Sequence, residues 1–337
     1  MKQLKTAMLG LGSVHKNLIS ILEEKKAALA AQYGLDFKII AISDSSGIAV
    51  NEDGYDMAAV LEHKKSGGRV SGLSGYQGTR QQHILNELAL DLIFEATPVD
   101  LKTGGEALDI CRSALIRGVS VVMANKGPVV QALSELENLA EKSGAGIGYS
   151  ATVCGGLPVL NIARRDMVCG TITKISGVFN GTSNFIFDAL AKGMSFDDAL
   201  REAQNVGAAE ADPALDIGGW DTAFKLLIIA NSVLGADITL DNIAVDGIED
   251  ITAEMLIKEQ EKGNIIKLVA SAEEGRYSVR PEVLPMDSFL GSCNGWEMGV
   301  EIHSDIYGIM YHKLYEKEPI PTAASMMRDA VNIFRHR

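Results

Sequence analysis

Thr6-Ala7-Met8-Leu9-Gly10-Leu11-Gly12-Ser13-Val14-His15 is the stretch that decides the fold. An apolar run ends in two glycines one residue apart, after which Leu18, Ile21, Leu22 and Leu29 recur at helical spacing up to Gly34. The pattern predicts a strand, a tight turn and a helix closed by a left-handed C-cap. In such a unit the first glycine makes the turn and the second lets the backbone approach a pyrophosphate. The helix N-terminus adds free N–H groups and the positive end of its dipole. Gly10, Leu11, Gly12, Ser13 and Val14 are therefore candidate cofactor contacts. His15 stands where a third glycine usually permits close helix-to-strand packing; it reads as a solvent-facing helix residue rather than one leaning over a cofactor.

Outward from this unit the chain alternates strands and helices. Phe37 to Ile42 is a second apolar strand, and Asp44 closes it. Its carboxylate either accepts hydrogen bonds from an adenosine ribose diol or forms the turn into Ser45-Ser46-Gly47. Ser45 and Ser46 could donate to a 2′-phosphate and no arginine follows nearby to clamp one, so NAD and NADP both stay open. Residues 51–82 read as an irregular or partly helical insertion. Strands at Leu90–Ala96 and Val119–Met123, with helices at Glu106–Arg117 and Ala132–Lys142, complete a βαβ series. Together they predict an α/β fold, a Rossmann-type parallel sheet domain over residues 1–150. After Gly148 a second, mixed α+β domain is expected over 151–312. It has a strand at Thr171–Val178 and helical stretches near 183–206, 219–235 and 251–262. The helical spacing of Ala323–Phe334 suggests that 313–337 rejoins the first domain.

Composition narrows the function classes. The 337 residues carry 31 Lys and Arg against 44 Asp and Glu, a net charge of −13, which disfavours a nucleic-acid partner. Apolar stretches such as Leu226–Ala230 fall far short of the ~20 residues that span a bilayer, so no membrane association is expected. The N-terminus lacks the apolar core of a signal peptide, which makes a cytoplasmic protein the default expectation. Cys111, Cys154, Cys169 and Cys293 lack metal-site or disulfide spacing and read as reduced, mostly buried thiols.

Three polar segments carry the chemistry. Lys126, in Ala124-Asn125-Lys126-Gly127-Pro128, follows a buried strand and falls in the crevice at the carboxyl end of a parallel sheet, where ligands bind. Asn180-Gly181-Thr182-Ser183-Asn184 is a polar turn after the strand through Val178, with Thr182 or Ser183 as the expected helix N-cap. Gly207 to Lys225 holds Glu210, Asp212, Asp216 and Asp221 before its first base, on a loop leading into an apolar helix. Its Gly, Pro, Leu and Ile content suggests a packed loop with inward carboxylates. Asp221 and Lys225 stand at i and i+4 on one helical face.

These segments, with Ala96-Thr97-Pro98 and Ala151-Thr152-Val153-Cys154-Gly155-Gly156-Leu157-Pro158, occur in the order and spacing of homoserine dehydrogenases, which the chain resembles from about residue 5 to its end. The resemblance implies NAD(P)-dependent interconversion of L-homoserine and L-aspartate 4-semialdehyde, on the route from aspartate to threonine, methionine and isoleucine. By position, Lys225 resembles the family's acid/base lysine and Lys126 the lysine that approaches cofactor and substrate. Glu210, Asp216 and Asp221 correspond to substrate-positioning carboxylates; chemically, Asp221 could orient either the substrate's α-ammonium or Lys225. Thr182 lines the substrate pocket, and Thr97 and Pro98 join the cofactor set. The backbone of Val153 and Gly155 corresponds to a monovalent cation site, taken as Na+, in some members. A homodimer is implied, with its interface near 151–160 and 288–312. With no kinase half before the fingerprint and no regulatory domain after the last helix, feedback control is not expected.

The chain also departs from the family pattern. A glycine-rich loop usually precedes the C-terminal Pro-Thr-Ala, whereas here the stretch reads His312-Lys313-Leu314-Tyr315-Glu316-Lys317-Glu318-Pro319-Ile320 before Pro321-Thr322-Ala323. Ala208 replaces an aromatic common beside the substrate glutamate. These departures keep two other readings open: an oxidoreductase for another small amino-acid aldehyde or alcohol, and a non-catalytic metabolite-binding homologue. For catalysis, burial and a nearby Lys126 are expected to lower the Lys225 pKa while Asp221 pulls the other way.

Overall fold

In a computed structural model, residues 1–205 and 213–335 are described. Glu210, Asp212 and Ala208 lie outside them. The chain divides into two compact units, Met1–Thr152 with Pro319–Arg337, and Val153–Glu318.

The first unit is built on a seven-stranded sheet. Strand β1 (Lys2–Leu9) leads through Gly10-Leu11-Gly12 into helix α1 (Ser13–Tyr33) and back to β2 (Leu35–Asp44). Gly34 ends α1 at φ 67°, the left-handed cap its position requires. β5 (Leu92–Glu95), α4 (Gly105–Ile116), β6 (Ser120–Met123), α5 (Lys126–Ser143) and β7 (Ile147–Gly148) continue the parallel series. The stretch between β2 and β5 contains β3 (Gly47–Val50), α2 (Met57–Lys65), β4 (Tyr76–Gly78) and α3 (Gln81–Glu87). β3 and β4 are antiparallel and extend one edge, so the sheet is parallel only from β2 to β7. The order β4-β3-β2-β1-β5-β6-β7 reverses chain direction beside β1. The loops after β1 and β5 therefore flank the switch point, where open α/β sheets take their ligands.

His15 corrects the sequence reading. It is fully buried, because His15, Leu18, Ile19 and Leu22 form the inward stripe of α1 at the i, i+3, i+4, i+7 spacing of one helical face. Helix α12 (Ile320–Phe334) adds Ala323, Met326, Met327, Ala330 and Phe334 to the same core. Lys313 to Tyr315, read from the sequence as the start of the returning segment, belong instead to a strand of the second unit.

That second unit is a six-stranded sheet of order β13-β12-β8-β10-β11-β9, antiparallel except for β9 with β11. Its elements are α6 (Val159–Asn161), β8 (Ile172–Val178), α7 (Gly181–Ala191), α8 (Phe196–Asn205), α9 (Ala214–Ile217), α10 (Trp220–Val233), β9 (Ile243–Val245), α11 (Ala253–Gln260), β10 (Asn264–Glu273), β11 (Arg276–Pro285), β12 (Glu297–Ser304) and β13 (Gly308–Tyr315). The expected helix near 183–206 is two helices, separated at Gly193 with φ 89°.

Two buried groups of the first unit make its stability depend on pH in opposite directions. Burial lowers the His15 pKa to about 4, against a weaker upward pull from the Gly10 backbone. Burial raises that of Glu95, at the end of β5, to about 7 against hydrogen bonds from Thr97 and Asn125. Unfolding therefore takes up a proton at His15 between pH 6.5 and 4 and releases one at Glu95 between pH 4.5 and 7. Each linkage is worth on the order of 3 kcal/mol over its window. Relative to wild type, His15→Leu should gain stability as pH falls below 6.5, and Glu95→Gln should gain it as pH rises above 4.5. Melting curves of both variants across this range test the assignment, and a pH-independent difference from wild type in either would reject that group.

Candidate active site

In the first unit, Gly10 has φ 83°, and a Cβ there would sit 2.5 Å from the Ala96 carbonyl oxygen, so only glycine fits between the β1 and β5 loops. Gly12 is different. Its nearest obstacle to a Cβ lies 3.9 Å away, and it precedes α1 with no side-chain cap, leaving an open helix N-terminus of the kind that takes phosphate. Ser13 and Val14 form the first turn behind it, and Leu11 is held by its N–H on the Ser43 carbonyl at 2.9 Å.

Asp44 takes the turn-forming role: its Oδ1 accepts the N–H and hydroxyl of Ser46 at 2.9 and 2.6 Å. Its Oδ2 accepts Lys64 Nζ at 2.8 Å and the Val70 N–H at 3.1 Å. Burial works against the charge, and these donors outweigh it to hold the carboxyl at about 2. Lys64 is a cation beside Asp44 without a local sequence signal: it comes from α2, 20 residues along the chain.

After β5, Thr97 N–H donates to Glu95 Oε1 at 2.9 Å and the Thr97 hydroxyl donates to the same oxygen. Asn125 Nδ2 reaches the Thr97 hydroxyl at 3.2 Å and the Pro98 carbonyl at 3.4 Å, while Asn125 Oδ1 caps α5 by accepting the Gly127 N–H at 2.9 Å. The chain Glu95–Thr97–Asn125 thus fixes the loop after β5 to the start of α5, whose first residue is the half-buried Lys126. Glu95 carries no sequence signal beyond its place at a strand end.

The second unit assembles the other group. Lys225 projects from α10, 11% exposed, and donates to Asp221 Oδ2 at 2.7 Å and to the Phe179 carbonyl at 2.6 Å. Asn180 Nδ2 donates to Asp216 Oδ1 at 2.7 Å and to Asp221 Oδ2 at 2.9 Å. Asn180 is also the N-cap of α7, its Oδ1 accepting the Ser183 N–H at 2.8 Å. This replaces the expected cap by Thr182 or Ser183, since Asn180 is the last extended residue before the helix. Thr182 is buried in the first turn. The expectation for Lys225 reverses as well. Burial disfavours its charge, but Asp221, Cys154 and Asp216 more than compensate and raise its pKa well above the usual lysine value.

Cys154, at φ 53°, directs its Sγ toward the same Phe179 carbonyl at 3.9 Å. In the same turn Glu316 packs against Gly155 and accepts the Gly156 N–H at 2.8 Å, while Val153 is fully buried. Among the described residues no cluster of His, Cys, Asp or Glu forms a metal site, and no helix is long and apolar enough to cross a membrane.

A family model described as homoserine dehydrogenase matches residues 158–331. The homoserine dehydrogenase of Methanocaldococcus jannaschii is 34% identical over 333 residues, 97% of each chain. The chain belongs to the homoserine dehydrogenase family. An NAD(+)-dependent homoserine dehydrogenase of Pseudomonas canavaninivorans is 30% identical over 99% of this chain and 97% of its own. A hyperthermophilic archaeal homoserine dehydrogenase solved in complex with NADPH superimposes with TM-score 0.83 at 27% identity over 98% of both chains. A model of the glutamate/leucine/phenylalanine/valine dehydrogenases matches residues 2–102, the stretch that holds the β1 turn and Asp44. As a member of the homoserine dehydrogenase family the chain is an NAD(P)-dependent oxidoreductase acting on a CH–OH group.

The two glycines of the first loop separate stability from binding. Gly10→Ala should lower the melting temperature by forcing the β1 and β5 loops apart. Gly12→Ala should melt near wild type yet bind NADPH roughly tenfold or more weakly, because a methyl group then occupies the phosphate approach. Calorimetric melting with NADPH titration checks both, and wild-type affinity in Gly12→Ala would refute the assignment.

Proposed function

We propose that this chain interconverts L-homoserine and L-aspartate 4-semialdehyde, the aspartate-derived step toward threonine, methionine and isoleucine, with Lys225 carrying the proton. The observation behind this reading is a buried ammonium gripped by Asp221 and the Phe179 carbonyl. The dinucleotide, NAD or NADP, when bound supplies or accepts the hydride. Gly10, Leu11, Gly12, Ser13 and Val14 would hold its pyrophosphate, Asp44 with Lys64 its adenosine ribose, and Thr97, Pro98 and Lys126 its reactive half. The open N-terminus of α1 fits that assignment.

In the reducing direction the aldehyde carbon gains hydride, its oxygen becomes an alkoxide, and Lys225 as an ammonium donates the proton. In the oxidising direction Lys225 must first give up its own proton to accept that of the alcohol. Asp216, with Glu210 from outside the described residues, suits the substrate's α-ammonium, and Thr182 adds a neutral donor from the first turn of α7. Asp221 orients Lys225. A non-catalytic homologue would have little physical reason to keep a buried lysine, two carboxylates and an amide in mutual hydrogen bonds.

The proton role is testable by pH. Because the Lys225 pKa is raised, homoserine oxidation should still be climbing above pH 10, while semialdehyde reduction should stay level to that point. Lys225→Ala should lose about 10²–10⁴-fold in turnover in both directions. A flat oxidation profile together with an active Lys225→Ala would remove Lys225 from the role.

We further propose a homodimer joined through the second unit near residues 151–160 and 288–312. Edge strand β13 and its turn expose Ile306 (68%), Ile309 (47%), Tyr311 (50%) and Tyr315 (62%), an apolar edge that isolated chains rarely leave open. Sedimentation at micromolar concentration should give a dimer that Ile309→Lys weakens; a wild-type monomer would exclude it.

A further inference from the structure

Asn180 is 4% exposed, and its side-chain oxygen and both amide hydrogens are engaged. Its Oδ1 caps α7 at Ser183, and the two hydrogens of its Nδ2 go to different carboxylates, Asp216 and Asp221. Capping alone does not require asparagine, since serine, threonine and aspartate cap as well. Among these side chains only asparagine combines a capping acceptor with two donors. Aspartate would instead bring a third carboxylate to the same place.

The point of contact matters. Asn180 donates to Asp221 Oδ2 at 2.9 Å, the same oxygen that Lys225 grips at 2.7 Å. An oxygen that already accepts an amide hydrogen has less charge to offer the ammonium. Around Lys225 the other groups all favour its charge: Asp221 on its own helix, Asp216 from α9, Cys154 from the turn after residue 152, and the Phe179 carbonyl at the end of β8.

We propose that Asn180 is a positioning residue that clamps Asp216 and Asp221 side by side and, by sharing the Asp221 oxygen, loosens that carboxylate's hold on Lys225. The inference rests on Lys225 being the proton carrier. Without the clamp the Asp221 oxygen offers its full charge to the ammonium, which then releases its proton less readily. Oxidation, which needs that release, suffers, whereas reduction, which starts from the ammonium, is largely spared.

The test is the pH profile of homoserine oxidation in the full-length enzyme. Asn180→Ser keeps the cap and, with one short hydroxyl donor, loses the clamp on two carboxylates; Asn180→Asp keeps the cap and adds a carboxylate. In Asn180→Ser the alkaline limb should move up by about 0.5 pH unit, so that the rate at a fixed pH on that limb falls about threefold. The shift should be larger in Asn180→Asp, and semialdehyde reduction should change less than oxidation in both. Melting temperatures read the cap separately. A wild-type limb in a folded Asn180→Ser, or in Asn180→Asp if the serine variant fails to fold, overturns the inference even where Lys225→Ala is inactive. Full oxidation activity in Lys225→Ala overturns the underlying reading instead.

Discussion

A buried ammonium cannot be left unpaired, and in the second unit this constraint organises everything around Lys225. Removing one partner from a buried ion pair costs on the order of 3–5 kcal/mol, since the remaining charge has neither water nor a counterion. Asp221 supplies the counterion from one turn earlier on α10, and the Phe179 carbonyl supplies the second acceptor from the end of β8. Because β8 and α7 meet at Phe179 and Asn180, the grip on Lys225 and the cap of α7 are set by adjacent residues. Strand end, helix start and buried lysine cannot shift independently.

A second buried lysine supports this junction from below. Lys267 on β10 has no exposed side-chain surface and donates to Asn184 Oδ1 at 2.7 Å and to Asp188 Oδ1 at 3.0 Å, one and two turns along α7 from Asn180. Asn184 in turn donates to the carbonyls of Cys293, Gly295 and Glu297. The first turns of α7 are thus fixed to β10 and to the segment leading into β12, so the orientation of Asn180 is inherited from the sheet and not from a loop. Sites supported by packed elements hold their geometry more closely than sites carried on loops.

What could be read from the sequence divides along the range of the interaction. The β1 turn was legible because glycine spacing is a local backbone requirement, and Gly10 and Gly34 both adopt the positive φ that their places imply. Lys225 and Asp221 were legible as a pair because i and i+4 meet on any helix. His15 is less legible, because its polar type points to solvent while its place in the i, i+3, i+4, i+7 stripe buries it. The boundary of the returning segment is less legible too: Ile309, Tyr311, Lys313 and Tyr315 alternate with the period of a strand where the family pattern has a glycine-rich loop. Lys64 on Asp44 and Asn180 on Asp216 were not legible, since those contacts join residues 20 and 36 positions apart through the fold.

The charge bookkeeping of the second site gives the net −13 a local meaning. Among the described residues it gathers two carboxylates, Asp216 and Asp221, around one ammonium and one neutral amide. Carboxylates gathered in a partly buried site attract cationic groups, so the arrangement suits a ligand that carries an ammonium group. An amino-acid substrate meets that demand with its α-ammonium, whereas a simple aldehyde or alcohol of the same size does not. Lys225 adds a second consequence in the proton role proposed for it, because a lysine held charged by its neighbours suits the alkoxide of aldehyde reduction and must be unloaded before it can serve oxidation. Charge balance therefore bears on both the identity of the substrate and the easier direction of the proton step, and both trace back to how tightly Asp221 holds one ammonium.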